Sequence, residues 1–297
     1  MRRFLALTAS LMVCVVSPVV ALECRETTHD DIVYALCEVD TATERLELFL
    51  NDPAGRPYGH FSAIDDALDA LEQTLAFGMN AGMYHQNRQP VGLYIENGET
   101  LAPLQTRESF GNFGLLPNGV LCLTETGANV IETLRYRDTA PDCRAATQSG
   151  PMLVIDGALH PRFLPDSTSR YIRNGVGTSD DGSRAVFVIS RNPVTFHQFA
   201  RFFRDALGLR QALYFDGNIS RLHAPQLGRS DPGFRMGPII GLPAPKGDRS
   251  RRILPQMRKG RGTLRPQRQR LTDRRPWARP RALTGTGQNH GTQAQGS

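Results

Sequence analysis

The stretch that decides the fold is Leu213-Tyr-Phe-Asp-Gly-Asn-Ile-Ser220. Leu213 to Phe215 are three consecutive large apolar residues, the signature of a short strand buried on both faces. Asp216 stands at its C-terminal end and is followed by Gly217-Asn218. A strand fixes the position of a carboxylate, and a glycine beside it lets a ligand or a second backbone come close. Asp-Gly after a strand is also an ordinary turn, so the stretch gains meaning from three others. These are Asn80-Ala-Gly-Met-Tyr84, Gln148-Ser-Gly-Pro151 and Arg173-Asn-Gly-Val-Gly177. Each sets polar residues against glycines beside an apolar run.

Working outward, Ile32–Asp40, Leu46–Leu50, Val91–Glu96, Val120–Thr124, Met152–Ile155 and Ala185–Ser190 read as strands. Asn97-Gly98 and Asp156-Gly157 read as turns between strands. Two helices are expected. One runs from Ile64 to Leu75, with Ile64, Ala67, Leu68, Leu71 and Leu75 on one face. The other runs from Thr195 to Leu207, with Phe196, Phe199, Phe203 and Leu207 as its apolar stripe. Many strands with two main helices imply an α+β class in a single domain.

The ends of the chain differ from its body. Arg2-Arg3, an apolar run from Phe4 to Val16 and the small-residue site Val19-Val20-Ala21 predict an export signal over residues 1–21. The folded domain is expected over residues 22–244 and a disordered basic tail over residues 245–297. From Lys246 onward the chain holds 14 Lys/Arg against 2 acids. The preceding 245 residues hold 21 against 27, so the basic pI describes the tail alone. The tail has few large apolar residues to offset ordering entropy. In an exported protein its charge suits an anionic envelope polymer or lipid; no nucleic acid partner is expected.

Without Cys14 in the signal, four cysteines remain, Cys24, Cys37, Cys122 and Cys143. Export and an even count predict disulfides. Of the three possible pairings, the local ones, Cys24–Cys37 and Cys122–Cys143, each close a short loop or hairpin. No C-x2-C or H-x3-H spacing suggests a metal, no cofactor is expected, and no G-x-S-x-G elbow surrounds Ser149.

In family order, Met79-Asn-Ala-Gly-Met-Tyr84, Pro90-Val-Gly-Leu-Tyr94, Asn112-Phe-Gly-Leu-Leu-Pro-Asn-Gly119, Gln148-Ser-Gly-Pro151, Arg173-Asn-Gly-Val-Gly177 and Phe215-Asp-Gly217 resemble the phosphodiester glycosidase family, closest to its bacterial exported branch. The resemblance spans roughly Tyr34 to Leu242. It implies hydrolysis of a sugar-1-phosphodiester bond in an α+β fold with a mixed central sheet. The family usually reads Asp-Gly-Gly at the last motif, where this chain has Asn218. An added side chain there implies a narrower site.

Such a site must hold a phosphate and move a proton. Asp216 is the expected acid/base or nucleophile. Arg173 is expected to fork phosphate oxygens, with the Gly175 backbone beside it. Asn80, Gly82, Ser149, Gly150, Asn174, Gly217 and Asn218 are the expected substrate-binding positions. A second carboxylate is not identified: Glu108 is a possibility and Asp156 reads as a hairpin residue. His85 reads as a surface residue near the Asn80 motif. The expected activity is an exported hydrolase of sugar-phosphate linkages in envelope polymers or glycoconjugates. The alternative is a catalytically weak relative that binds glycans or anionic polymers.

Overall fold

A computed structural model describes residues 22–246; the expected export signal over 1–21 and the expected tail from 247 onward lie outside the described residues. The chain opens with strands β1 (Glu23–His29), β2 (Ile32–Asp40) and β3 (Glu47–Phe49), then helix α1 (Phe61–Asp69). Next come β4 (Gln73–Asn80), β5 (Tyr94–Glu96), β6 (Glu99–Ala102), β7 (Gly119–Leu123) and β8 (Ala128–Glu132), then α2 (Thr133–Thr139). There follow β9 (Ala145–Ser149), β10 (Met152–Ile155), β11 (Ala158–Leu159), β12 (Asn174–Thr178) and β13 (Arg184–Ser190). Helix α3 (Phe196–Arg201) runs straight into a π-turned segment, Phe202–Ala206. The chain then forms β14 (Gln211–Asp216), β15 (Leu222–Ala224), β16 (Arg229–Ser230) and β17 (Ile239–Pro245).

The class is α+β. Among the described residues the strands form a seven-stranded sheet, β1-β2-β13-β12-β14-β10-β11, and two five-stranded sheets, β16-β15-β4-β17-β3 and β6-β5-β9-β7-β8. Every strand pairing between them is antiparallel, where a mixed central sheet was expected. Turns such as Asn97-Gly98, both with positive φ, join neighbours directly, so no crossover of the kind a parallel pair needs arises there.

The unbroken apolar runs of β2, β13 and β14 follow from burial on both faces. Ala35, Cys37, Val39, Phe187, Ile189, Leu213 and Phe215 point into a core shared with Phe77 and Met79 of β4 and Leu121 of β7. Phe77 and Phe187 meet there at 4.8 Å between ring centroids. The alternate residues, Tyr34, Leu36, Val186, Val188 and Tyr214, point to the other face and pack under Phe199, Phe202 and Phe203. Each such large side chain contributes about 2 kcal/mol by leaving water.

Thr195 starts α3 with a capping box: its hydroxyl accepts from Gln198 N, and the Gln198 side chain accepts from Thr195 N. This second helix covers the expected span. The first does not. It ends at Asp69, and residues 73–75 belong to β4. Asp65 Oδ1 accepts from Leu75 N at 2.7 Å and from Thr74 Oγ1 at 2.9 Å, tying the helix to the start of the strand. Leu71, expected on the apolar face, is exposed. Helix α2 was not foreseen; Glu132 caps it by accepting from Arg135 N.

Both expected disulfides form. Cys24 and Cys37 face each other in the β1–β2 register, and Cys122 of β7 joins Cys143 just before β9. The last strand runs to Pro245, one residue beyond the expected domain edge. No helix among the described residues is long and apolar enough to cross a membrane.

Candidate active site

The C-terminal end of β14 brings most of the expected residues together. Asp216 Oδ1 accepts from Gly217 N at 2.5 Å and Asn218 N at 2.8 Å, so the carboxylate caps its own turn. Burial raises its pKa, against the pull of those backbone N–H groups and that of Ile219. No Lys, Arg or His lies within ion-pair distance of it among the described residues. A carboxyl that is desolvated and has no counter-ion favours its protonated form.

Gly217 is required by space. A Cβ there would lie 2.3 Å from the Tyr214 hydroxyl. Asn218 is exposed and forms part of a cavity wall.

Asn80, at the end of β4, and Asn174, at the start of β12, form a fully buried amide pair. Asn174 Nδ2 donates to Asn80 Oδ1 at 2.7 Å, and Asn80 Nδ2 donates to Asn174 Oδ1 at 3.2 Å. Asn174 Oδ1 also accepts from Asp216 N at 3.1 Å, and Asn80 Oδ1 accepts from Arg221 N at 2.9 Å. The two asparagines, expected at the substrate, position the backbone on either side of the Asp216 turn. Ser220 Oγ completes the brace, 2.7 Å from Ile172 O and 2.9 Å from Asp216 O.

Ser149, Gly82, Gly150 and Gly175 also act from within the packing. Ser149 is buried and donates from Oγ to Phe215 O at 3.2 Å, linking β9 to β14. Gly82 has φ +136 and sits against Thr147 and Gln148. A Cβ on Gly150 would reach 2.5 Å from Asn118 Cβ, and one on Gly175 would reach 2.4 Å from Leu213 O. These glycines let strands approach; no ligand is needed to explain them.

Arg173, expected to fork a phosphate, lies at the entry to β12, a strand flanked by β13 and β14. The side chain is fully buried. Nε donates to Val194 O at 2.9 Å, Nη1 to Tyr214 Oη at 3.3 Å and Nη2 to Ser169 O at 3.2 Å. The guanidinium lies 3.6 Å from the Phe196 ring centroid. These bonds use three of the five guanidinium N–H groups and reach all three nitrogens.

Two residues around Asp216 were not singled out by sequence. Tyr84 is partly buried; burial raises its phenol pKa, and the Asp216 charge raises it further. Arg221 is only 6 % exposed, and its guanidinium donates no hydrogen bond among the described residues. Tyr84 lay inside a quoted motif, but nothing in Ser220-Arg-Leu222 marks Arg221. Of the other candidates, Glu108 is an exposed partner of Arg162 at 3.0 Å. Asp156 sits in a tight turn with φ +50, paired with Arg135 at 2.8 Å. No cluster of metal-ligating side chains occurs among the described residues.

A family model described as phosphodiester glycosidase matches residues 73–228, from the first residue of β4 to the turn before β16. The chain belongs to the phosphodiester glycosidase family. The matched span holds Asn80, Tyr84, Ser149, Asn174, Asp216 and Arg221, the whole neighbourhood of the Asp216 turn. A relative within reach is the uncharacterized protein YigE of Escherichia coli (strain K12), 34 % identical over 185 residues, which are 62 % of this chain and 72 % of that protein. Among solved structures, the catalytic domain of zebrafish N-acetylglucosamine-1-phosphodiester alpha-N-acetylglucosaminidase, auto-inhibited by its pro-peptide, shares the fold. Its TM-score is 0.51 at 12 % identity, over 75 % of this chain and 82 % of that one.

Proposed function

We propose that this chain is an exported hydrolase that cleaves sugars from phosphodiesters at C1, with Asp216 as the proton-transferring group. The observation that carries the reading is the Asp216 carboxyl, enclosed at a strand end, with a raised pKa and no counter-ion. A raised pKa is the direction that a general acid needs. In the reaction the bond from C1 to the bridging oxygen breaks and the oxygen departs with phosphorus. It takes the proton of Asp216, so a phosphate monoester leaves. Water adds to C1 and its proton restores the carboxyl. Tyr84, Asn218 and the backbone of the turn surround the reacting group.

The family model supports the reaction class. The sugar in the name of the zebrafish enzyme, N-acetylglucosamine, is one candidate, and envelope glycopolymers or glycoconjugates are the substrate class that fits an exported protein. Two disulfides support export, since such bonds persist in oxidising compartments. The competing reading, a weak relative that binds anionic polymers through the site and its basic tail, is favoured by one observation: exposed Asn218 stands where the family has glycine.

Release of free sugar from a panel of sugar-1-phosphodiesters separates the two. Folded Asp216→Asn should turn over roughly 10²-fold more slowly or worse, the scale of general acid catalysis. Near-normal turnover in that variant removes Asp216 from the chemistry. No release from any member of the panel leaves the binding reading.

A further inference from the structure

A cavity of about 740 Å³ opens beside the Asp216 turn, with Asn218 and Ser220 in its wall. Three arginines and two carboxylates line it. Arg229 is held by both oxygens of Asp231, with Nε–Oδ1 at 2.8 Å and Nη2–Oδ2 at 2.7 Å. Arg191 pairs with Glu26 at 3.4 Å. Arg221 has no carboxylate within ion-pair distance among the described residues, although it is the most deeply buried of the three. Among carboxylates Arg221 feels only the longer-range attraction of Asp231, so one positive charge in the cavity has no ion-pair partner. An anion that enters the cavity can supply one and stabilise the fold by binding.

The position of Arg221 is also fixed. Its backbone N–H is bound by Asn80 Oδ1, and Asn80 is paired with Asn174, whose Oδ1 holds the N–H of Asp216. One amide pair thus anchors the backbone at Asp216 and at Arg221. Gly233, with φ +144, packs against that guanidinium; a Cβ there would lie 2.3 Å from Arg221 Nη2. The guanidinium thus has no ion-pair partner, extends from an anchored backbone and lines a large cavity.

We propose that Arg221 is the anion-holding residue of this cavity and that its ligand is the phosphate group of the substrate or of the departing phosphate monoester. This deepens the hydrolase reading and rests on it only for the identity of the anion. It gives Arg221 the part that the sequence assigned to Arg173.

The test is binding, not turnover. The full folded protein is titrated with inorganic phosphate and with a hexose 1-phosphate, following heat and the shift in Tm. Arg221→Met should weaken both ligands roughly 10- to 100-fold, the worth of a charge-assisted hydrogen bond, and abolish the ligand-induced rise in Tm. Without ligand the variant should melt at or above the wild type, because an unpaired buried charge has gone. Arg221→Lys, which keeps the charge but loses the fork, should fall between the two and serves if Arg221→Met fails to fold. A hexose 1-phosphate bound far more tightly than inorganic phosphate marks a substrate site; equal affinity marks a plain phosphate site, and both outcomes support the assignment. Unchanged affinity in folded Arg221→Met or Arg221→Lys overturns it. Arg221-dependent binding in a protein that hydrolyses no sugar phosphodiester sinks the hydrolase reading and leaves this one. Hydrolysis with undiminished phosphate affinity in the variants does the reverse.

Discussion

Arg173 and Arg221 are both buried, and both adjoin the Asn80–Asn174 amide pair, yet they are built in opposite ways. Arg173 is chained to Asn174 and roofed by Phe196, with Tyr171 and Tyr214 at 5.3 and 5.4 Å from its guanidinium. Two carbonyls and a phenol take its protons. Arg221 faces a cavity and gives its guanidinium protons to no described residue. Burial lowers the pKa of each. The difference teaches that a buried guanidinium is evidence for a ligand only after its hydrogen bonds have been accounted for. Every guanidinium nitrogen of Arg173 has a partner in the fold, and among the described residues none of those of Arg221 has one.

The strongest way to break this contrast is at Arg173. Arg173→Lys keeps the charge but abandons a carbonyl, a phenol and the ring of Phe196. It should cost about 2–4 kcal/mol of stability, from lost buried hydrogen bonds and cation–π contact, while leaving phosphate affinity unchanged. Urea unfolding and phosphate titration of the same sample check both halves. A variant that melts normally but binds phosphate poorly would exchange the roles of the two arginines.

Titration sharpens the contrast on carboxyl and imidazole groups. Burial raises the pKa of Asp216 in the fold, so its contribution to stability is present below the unfolded value near 3.9 and is lost as pH rises through the folded value. Turnover that needs the protonated acid should fall over that same rise. His160 and His223 go the other way. Burial lowers both, so their contribution is present above the unfolded value near 6.5 and is lost as pH falls below it. Tm measured between pH 8 and 5 should decline toward the acid end. His160→Phe, which keeps the stacking on Phe163, should flatten the slope; an unaltered slope would place the sensitivity elsewhere.

The smallest effect is expected at Asn218. Its N–H to Asp216 survives in Asn218→Gly, so stability should fall by no more than about 1 kcal/mol, from added freedom in the unfolded chain. The cavity wall recedes, and the panel of accepted sugar phosphodiesters should widen. An identical profile means that the side chain points away from the substrate.

Much of this fold is legible in the sequence because burial on both faces writes itself as unbroken apolar runs. That is why β2, β13 and β14 read correctly, and why Asp216 stands out at a strand end. The division into three antiparallel sheets is not legible, since pairings such as Ile239 with Asn80 join residues far apart in the chain. The glycines after Arg173 suggest an anion-binding backbone. Here Gly175 and Gly177 serve the close approach of β12 to its neighbours. Arg221 carries no local signal at all: its meaning lies in what it fails to touch, which only the assembled structure displays.

The last strand, β17, lies between β3 and β4 in its sheet rather than at an edge. Ile239 pairs with Asn80 on one side and Phe49 on the other. During synthesis the ribosome therefore releases almost the whole domain before β4 can gain this neighbour, and closing so long a loop is slow. Until then Asn80 has no partner strand from β17, and the brace that aligns Asp216 with Arg221 is unfinished. The brace around the Asp216 turn is thus among the last contacts that the chain can complete.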